Sequence, residues 1–206
     1  MTALPVTDPT STPAPPQPRP DLRDAVAAAQ GWVAGLLDRV RPDQLQDPTP
    51  CDAFAVEALV RHLFGVADRL VVMGAGRPAE SAPAVVATLP DDVVGAYRAR
   101  VEDGRRAWAD PEALDRLVEA PFGTVPGHVV LGVYLAENLT HGWDLARATG
   151  QDAEADPALV APAYAVMRQV LPDGARDGLP FAAPVEPPSG AGPTERLANW
   201  SGRRSS

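Results

Sequence analysis

The chain has 206 residues, of which 45% are hydrophobic and 22% charged, the size and composition of a single globular domain. Its 27 acidic against 18 basic side chains leave a net charge of −9, which argues against a phosphate-tracking nucleic-acid binder. Every basic residue is Arg, so Schiff-base lysine chemistry and a Walker phosphate loop are excluded, and the single Cys51 excludes an internal disulfide and a Cys-rich zinc site.

Residues 1–20 contain seven Pro and little that could pack, which predicts a disordered or extended tail. The opening MTALPVTDPT lacks the cationic start and apolar stretch of an export signal, and no run of 18 apolar residues follows. A cytoplasmic protein without membrane contact is expected. SGRRSS, from Ser201 to Ser206, reads as a short polar tail, which leaves residues 21–200 as one domain.

Helical periodicity dominates that domain. A first helix is predicted from about Asp21 to Val40, its apolar stripe running through Leu22, Val26, Ala29, Val33, Leu36, Leu37 and Val40. DPTPC (Asp47 to Cys51) is a Pro-punctuated loop, with Asp52 as a candidate N-cap for a second helix from Ala53 to Met73. Asp91 or Asp92 opens a third helix reaching Trp108. DRLVEAPFGTVP, residues 115–126, reads as a short extended connection with turns at Phe122–Gly123 and Pro126–Gly127. A fourth helix follows from His128 to Thr149, closed by Gly150. A fifth spans Pro157 to Leu171, with Pro162 expected to kink it or delay its start. The remainder is expected to be mostly irregular, with a short helix near Glu195–Trp200. Long helices with one apolar face each are best satisfied by an all-α bundle.

The fourth helix carries the chemistry. From Val129 to Ala146 its strongly ionisable side chains are Glu137, His141 and Asp144, set among apolar or small residues. Such a helix belongs in the interior, where a carboxylate is costly unless a cation or donors meet it. Glu137 and His141, at i and i+4, project from one face about 6 Å apart along the axis, and Asp144 continues the row. A carboxylate and an imidazole so placed can grip one metal ion from a single helix. His62, beside the apolar stripe of the second helix, is the better third ligand. His128, at the start of the fourth helix, suits a surface or capping role. Against this stand a simple hydrogen-bonded Glu137–His141 pair and a His62 that is only a satisfied histidine at the core edge. Asp144 suits an orienting or structural role, with Arg147 as one available partner. Cys51 precedes a helix N-terminus, but inert packing is the simpler reading. Trp32, Trp108 and Trp200 read as core or cover residues.

PTPCDAFAVEALVRHLFG (Pro48 to Gly65), PFGTVPG (Pro121 to Gly127) and LAENLTHGWDLARATG (Leu135 to Gly150) together resemble the DinB-like metal-binding bundle proteins. The nearest branch is the metal-binding domain of mycothiol-dependent maleylpyruvate isomerase. The resemblance implies a four-helix bundle, here with an additional C-terminal helix, and a divalent-metal site whose ligands fall on His62, Glu137 and His141. It also implies a low-molecular-weight thiol such as mycothiol as cosubstrate, with an electrophilic small molecule as its partner. Asp144 would then be the orienting or proton-handling catalytic group. Zinc is the default for two His and one Glu, with nickel and iron left open because affinity order does not decide occupancy in cells. Phe54 replaces the family's usual Trp, a change expected to act on packing. The isomerase carries a further C-terminal domain that helps bind thiol and substrate. This sequence is expected to be too short to hold that full domain, so isomerase activity is not an expectation carried over from the resemblance. A metal-stabilised binding or regulatory bundle without turnover is the other reading, and a metal-free bundle the third.

Overall fold

A computed structural model describes residues 20–174, 176 and 181–205, so the N-terminal tail, apart from Pro20, lies outside the described residues. Among the described residues six α-helices and one hairpin follow in order: α1 (Arg23–Leu37), α2 (Val56–Gly74), α3 (Val93–Ala107), β1 (Leu117–Ala120), β2 (Gly123–Pro126), α4 (Gly127–Thr149), α5 (Pro157–Val170) and α6 (Pro193–Trp200). The protein is mostly helical. α1 packs on α3 and α4, α2 packs on the same two helices, and α5 and α6 pack on α4 and on each other. α4 is therefore the axis of the bundle. Its Leu135, Leu139 and Leu145 are all fully buried, each contributing roughly 1.5–3 kcal/mol of apolar burial.

Two apolar clusters divide the interior. One takes α4 residues up to Leu139, and the other takes Leu145 and Ala146. The turn between them holds Thr140, His141 and Asp144, all buried, so the polar groups of α4 sit in a seam between two hydrophobic masses.

The helix ends show why the predicted boundaries move by a few residues. Asp52 does not cap α2. Ala55 holds that position, and the first amides of α2 donate instead to loop carbonyls, Val56 to Asp47 (3.0 Å) and Glu57 to Leu45 (2.9 Å). Backbone from the preceding loop thus satisfies the orphan donors that a side chain would otherwise meet. Asp92 caps α3 by accepting from the Gly95 amide at 2.8 Å. The extended connection is an antiparallel hairpin pairing Leu117 with Pro126 and Ala120 with Gly123. It feeds directly into α4, whose first amide donates to the Arg116 carbonyl at 3.0 Å. Pro162 does not delay α5: Pro157 occupies its first turn, Asp156 caps it, and Pro162 lies within the helix.

The C-terminal stretch departs most from expectation. α6 buries Thr194, Leu197, Ala198, Asn199 and Trp200, and Ser201 beyond it is also fully buried. The residues read as a polar tail include Arg203, whose side chain turns inward to the α4 seam. Trp108 and Trp200 are buried, and Trp32 is partly buried against both clusters.

Candidate metal centre

α2 and α4 are neighbours, and their contact brings His62 to the Glu137–His141 face. Glu137 Oε1 lies 3.2 Å from His62 Nε2 and 3.5 Å from His141 Nε2. The three ligand atoms all fall within 4.8 Å of one another. A tetrahedral ion with ligand bonds near 2.0–2.1 Å needs donors about 3.3 Å apart, so the two carboxylate–imidazole separations match that requirement.

Hydrogen bonding on the far edge of each ring sets which nitrogen faces the centre. His62 Nδ1 meets the Ala84 carbonyl at 2.9 Å, and His141 Nδ1 meets Asp144 Oδ2 at 3.0 Å. Both partners only accept, so each Nδ1 carries a proton and each Nε2 is turned toward Glu137. Two imidazole nitrogens and a carboxylate facing one another call for a cation between them, and either a proton or a metal ion can supply it. This is the way metal-ligating histidines are oriented, by an acceptor on the other ring nitrogen. The donor set therefore fits a divalent ion.

Each support has a local cause. Ala84 reaches His62 because position 65, one turn on, is Gly. A Cβ there would stand 2.3 Å from the Ala84 oxygen, so any larger residue would push the strand of loop away. Thr49 organises the TPC loop: its hydroxyl donates toward the carbonyls of Phe54 (2.7 Å) and Cys51 (3.1 Å) and accepts from the Cys51 amide at 3.1 Å. That loop lays the Phe54 ring on His62, with centroids 4.8 Å apart and planes at 22°, and sets it edge-on to His141 at 6.0 Å. Asp144, fully buried, is met by Arg203, whose Nε lies 3.2 Å from both carboxylate oxygens. Arg147 instead lies over the Trp143 ring, 5.8 Å from its centroid.

The charges follow this geometry. Burial acts to raise the Glu137 carboxyl, but the charge on His141 and the hydrogen bonds from both imidazoles hold it well below the usual range. Burial acts to lower His141, yet the Glu137 charge and the bonds to Asp144 and Glu137 prevail and push it up to about 9. Burial also raises the Cys51 thiol, against the pull of Arg203.

His62, Glu137, His141 and Asp144 thus come together. His128 does not join them: its Nδ1 meets the Leu114 carbonyl at 3.0 Å and ties the first turn of α4 to the segment before the hairpin. Three neighbours of the site were not expected from the sequence. Phe54 stacks on a ligand candidate, Cys51 comes within 4.8 Å of donor atoms on His141 and Asp144, and Arg203 arrives from the other end of the chain. The one signal for Arg203 was indirect: a buried Asp144 on a helix whose nearest Arg is at its end. Of the three ligand candidates Glu137 is the most open, its side chain 25% exposed against 14% for His62 and 6% for His141.

The family model described as mycothiol maleylpyruvate isomerase N-terminal domain matches residues 26–146, which include all four of these positions. The chain belongs to this family. Two relatives from Mycobacterium tuberculosis, the uncharacterized proteins MT0763 of strain CDC 1551 and Rv0738 of strain H37Rv, are each 36% identical to it over 176 residues. These alignments cover 85% of this chain and 93% of each relative. No solved structure matches it. Among the described residues no helix is long and apolar enough to cross a membrane.

Proposed function

We propose that this member of the family is a cytoplasmic metalloprotein that holds one divalent ion on His62, Glu137 and His141 and uses it in thiol-dependent transfer or isomerisation. We read helices α1 to α4, in which α1 and α2 each pack on α3 and α4, as the DinB-like four-helix bundle, with α5 and α6 added against α4. The observation that carries the reading is the pair of Nε2 atoms aimed at one carboxylate, each ring fixed by an acceptor on its opposite edge.

An open coordination position distinguishes this from a purely structural ion. Among the described residues the His62–Glu137–His141 group has three members, and Asp144 lies on the Nδ1 edge of His141 rather than beside Nε2. Structural zinc is closed by four protein ligands, whereas catalytic zinc keeps three and leaves one position free. When bound, such an ion supplies the charge that keeps a thiol or a water deprotonated near neutral pH. The chain's own residues do the rest. Asp144 and the Ala84 carbonyl fix the two imidazoles, Phe54 walls the His62 side, and the exposed edge of Glu137 is where a small thiol and an electrophile gain entry. Asp144 is an orienting group, since it touches His141 and not the open side. Zinc fits best, and a mycothiol-type thiol is the cosubstrate that the family name suggests.

Metal analysis of the purified protein, before and after dialysis against a chelator, tests the first half. One ion per chain, removed by the chelator and restored by zinc, is expected, and a chain that takes up no divalent ion ends the proposal. Thiol-dependent turnover of electrophiles by the zinc-loaded protein, absent after chelation, tests the second half. A metal-loaded protein inactive with every thiol would leave a binding bundle instead.

A further inference from the structure

Arg203 enters the site from outside the stretch matched by the family model, and the turn that delivers it is closely built. Gly202 takes a left-handed φ of +91°, and a Cβ at that position would stand 2.7 Å from the Cβ of Ala182. The Arg203 amide donates to the Ala198 carbonyl at 2.9 Å. Asn199 Nδ2 donates to the Arg203 carbonyl and to Ser205 Oγ, both at 2.9 Å. The guanidinium that results is fixed against Asp144, with the Arg203 side chain only 13% exposed.

What it rests against is a second set of potential ligands. Cys51 Sγ, a ring nitrogen of His141 and a carboxylate oxygen of Asp144 lie within 4.8 Å of one another. His141 is common to both sets. Its Nδ1 edge faces Asp144 and its Nε2 faces Glu137 and His62. A thiolate–imidazole–carboxylate set would suit a borderline or soft divalent ion, and it would compete for His141 with the set on the other edge. Arg203 already supplies a cation there, engages both oxygens of Asp144, and would repel a second positive charge at the same distance.

We propose that Arg203 is a selectivity residue: it fills the cation position on the Asp144 side of His141, so that a metal ion is directed to the Glu137 side and Cys51 is kept out of coordination. This rests on the metal-binding reading above. Cobalt(II) titration of the whole chain tests it, because a cysteine thiolate bound to cobalt gives a strong near-ultraviolet charge-transfer band that nitrogen and oxygen ligands lack. Wild type and R203K, which keeps the charge, are expected to bind cobalt without that band. R203M is expected to gain it, and C51S in the R203M background to abolish it. A thiolate band in the wild-type protein, or none in a folded R203M, overturns the selectivity claim alone. A wild type that binds no cobalt overturns the metal reading as well. Should R203M fail to fold, alkylation of Cys51 in the wild type decides. Its rate is expected to be the same with and without bound zinc, and protection by zinc of about threefold or more overturns the claim.

Discussion

α3 and α4 lie in the same bundle and use their charges in opposite ways. α3 buries three of its 15 residues, Tyr97, Val101 and Gly104, and apart from Arg100, which lies over Phe64 and pairs with Asp68, its acids and arginines lie toward water. α4 buries eighteen of its 23, and the ionisable groups it carries inside are His141 and Asp144, with Glu137 at the edge. On the exposed face of α3 a charge can be met by solvent, so pairings such as Glu102–Arg105 are interchangeable. On α4 desolvation makes every unpaired charge expensive, so each one is given a fixed partner. Asp144 takes both His141 and Arg203, and Glu137 takes both His62 and His141. The contrast marks the chemistry-bearing helix: buried charges joined in a chain define a site, and scattered exposed ones define a surface.

Asp144→Ala should break this contrast most severely. It leaves the guanidinium of Arg203 buried without its carboxylate, a loss of about 3–5 kcal/mol in unfolding free energy, measured by denaturant titration. Removing both partners with D144A/R203M should recover a large part of that loss. A D144A protein within about 1 kcal/mol of wild type would show the pair to be solvated after all. His62→Ala comes next and acts on the other side of the seam. Zinc binding, followed by calorimetry, should be lost, whereas the metal-free protein should lose only about 1 kcal/mol because His62 sits at the edge of the core. Retention of zinc by H62A would remove His62 from the centre.

These two positions differ in how far the sequence announces them. The acid–His row was legible because both residues lie on one helix, where i and i+4 fix their relation before any tertiary contact. His62 was legible as the histidine nearest an apolar stripe, and the helices follow from periodicity and Gly/Pro punctuation, while the hairpin was legible only as an extended connection whose second expected turn, Pro126–Gly127, is instead the start of α4. Arg203 was not legible. It lies 59 positions from Asp144, among residues whose composition is that of a tail, and only the packing of α6 on α4 turns it inward. Cys51 and Phe54 were also seen as residues but not as neighbours of the centre, because a Pro-rich loop has no period from which to read direction. The short helix α6 was foreseen near its place and Trp200 as a core or cover residue, but not the burial of Thr194, Leu197, Ala198 and Asn199, since eight residues carry too little pattern to show which side meets the core.

Proton linkage sharpens the comparison without any mutation. His141 titrates at about 9 in the fold, above its ordinary value of 6.5, so its charged form is favoured by folding. That contribution is complete below about pH 6.5 and is lost as pH rises through about 9. Glu137 is shifted the other way, and its contribution is present above its ordinary 4.5 and lost as the pH falls below that value. Metal-free protein should therefore lose stability from pH 7 to 9, seen as a falling denaturation midpoint. Zinc takes the place of the proton on His141 Nε2, so uptake at pH 7 should release about one proton per ion from this residue and none above about pH 10. Calorimetry in buffers of different ionisation enthalpy counts that proton. A release independent of pH would mean that His141 is already neutral in the metal-free site.

The smallest effect is expected on α3. Glu102 lies 4.0 Å from Arg105, with both side chains more than half exposed. An exposed i,i+3 pair gains little Coulomb energy in water and gives up side-chain freedom to do so. Glu102→Ala should shift unfolding free energy by less than about 0.5 kcal/mol, and raising the salt concentration should erase even that. The same salt should leave the D144A penalty in place, since ions in solution do not reach a fully buried carboxylate. Equal salt sensitivity in the two variants would mean that the α4 seam is wet, and that its charges are no more confined than those of the surface helix.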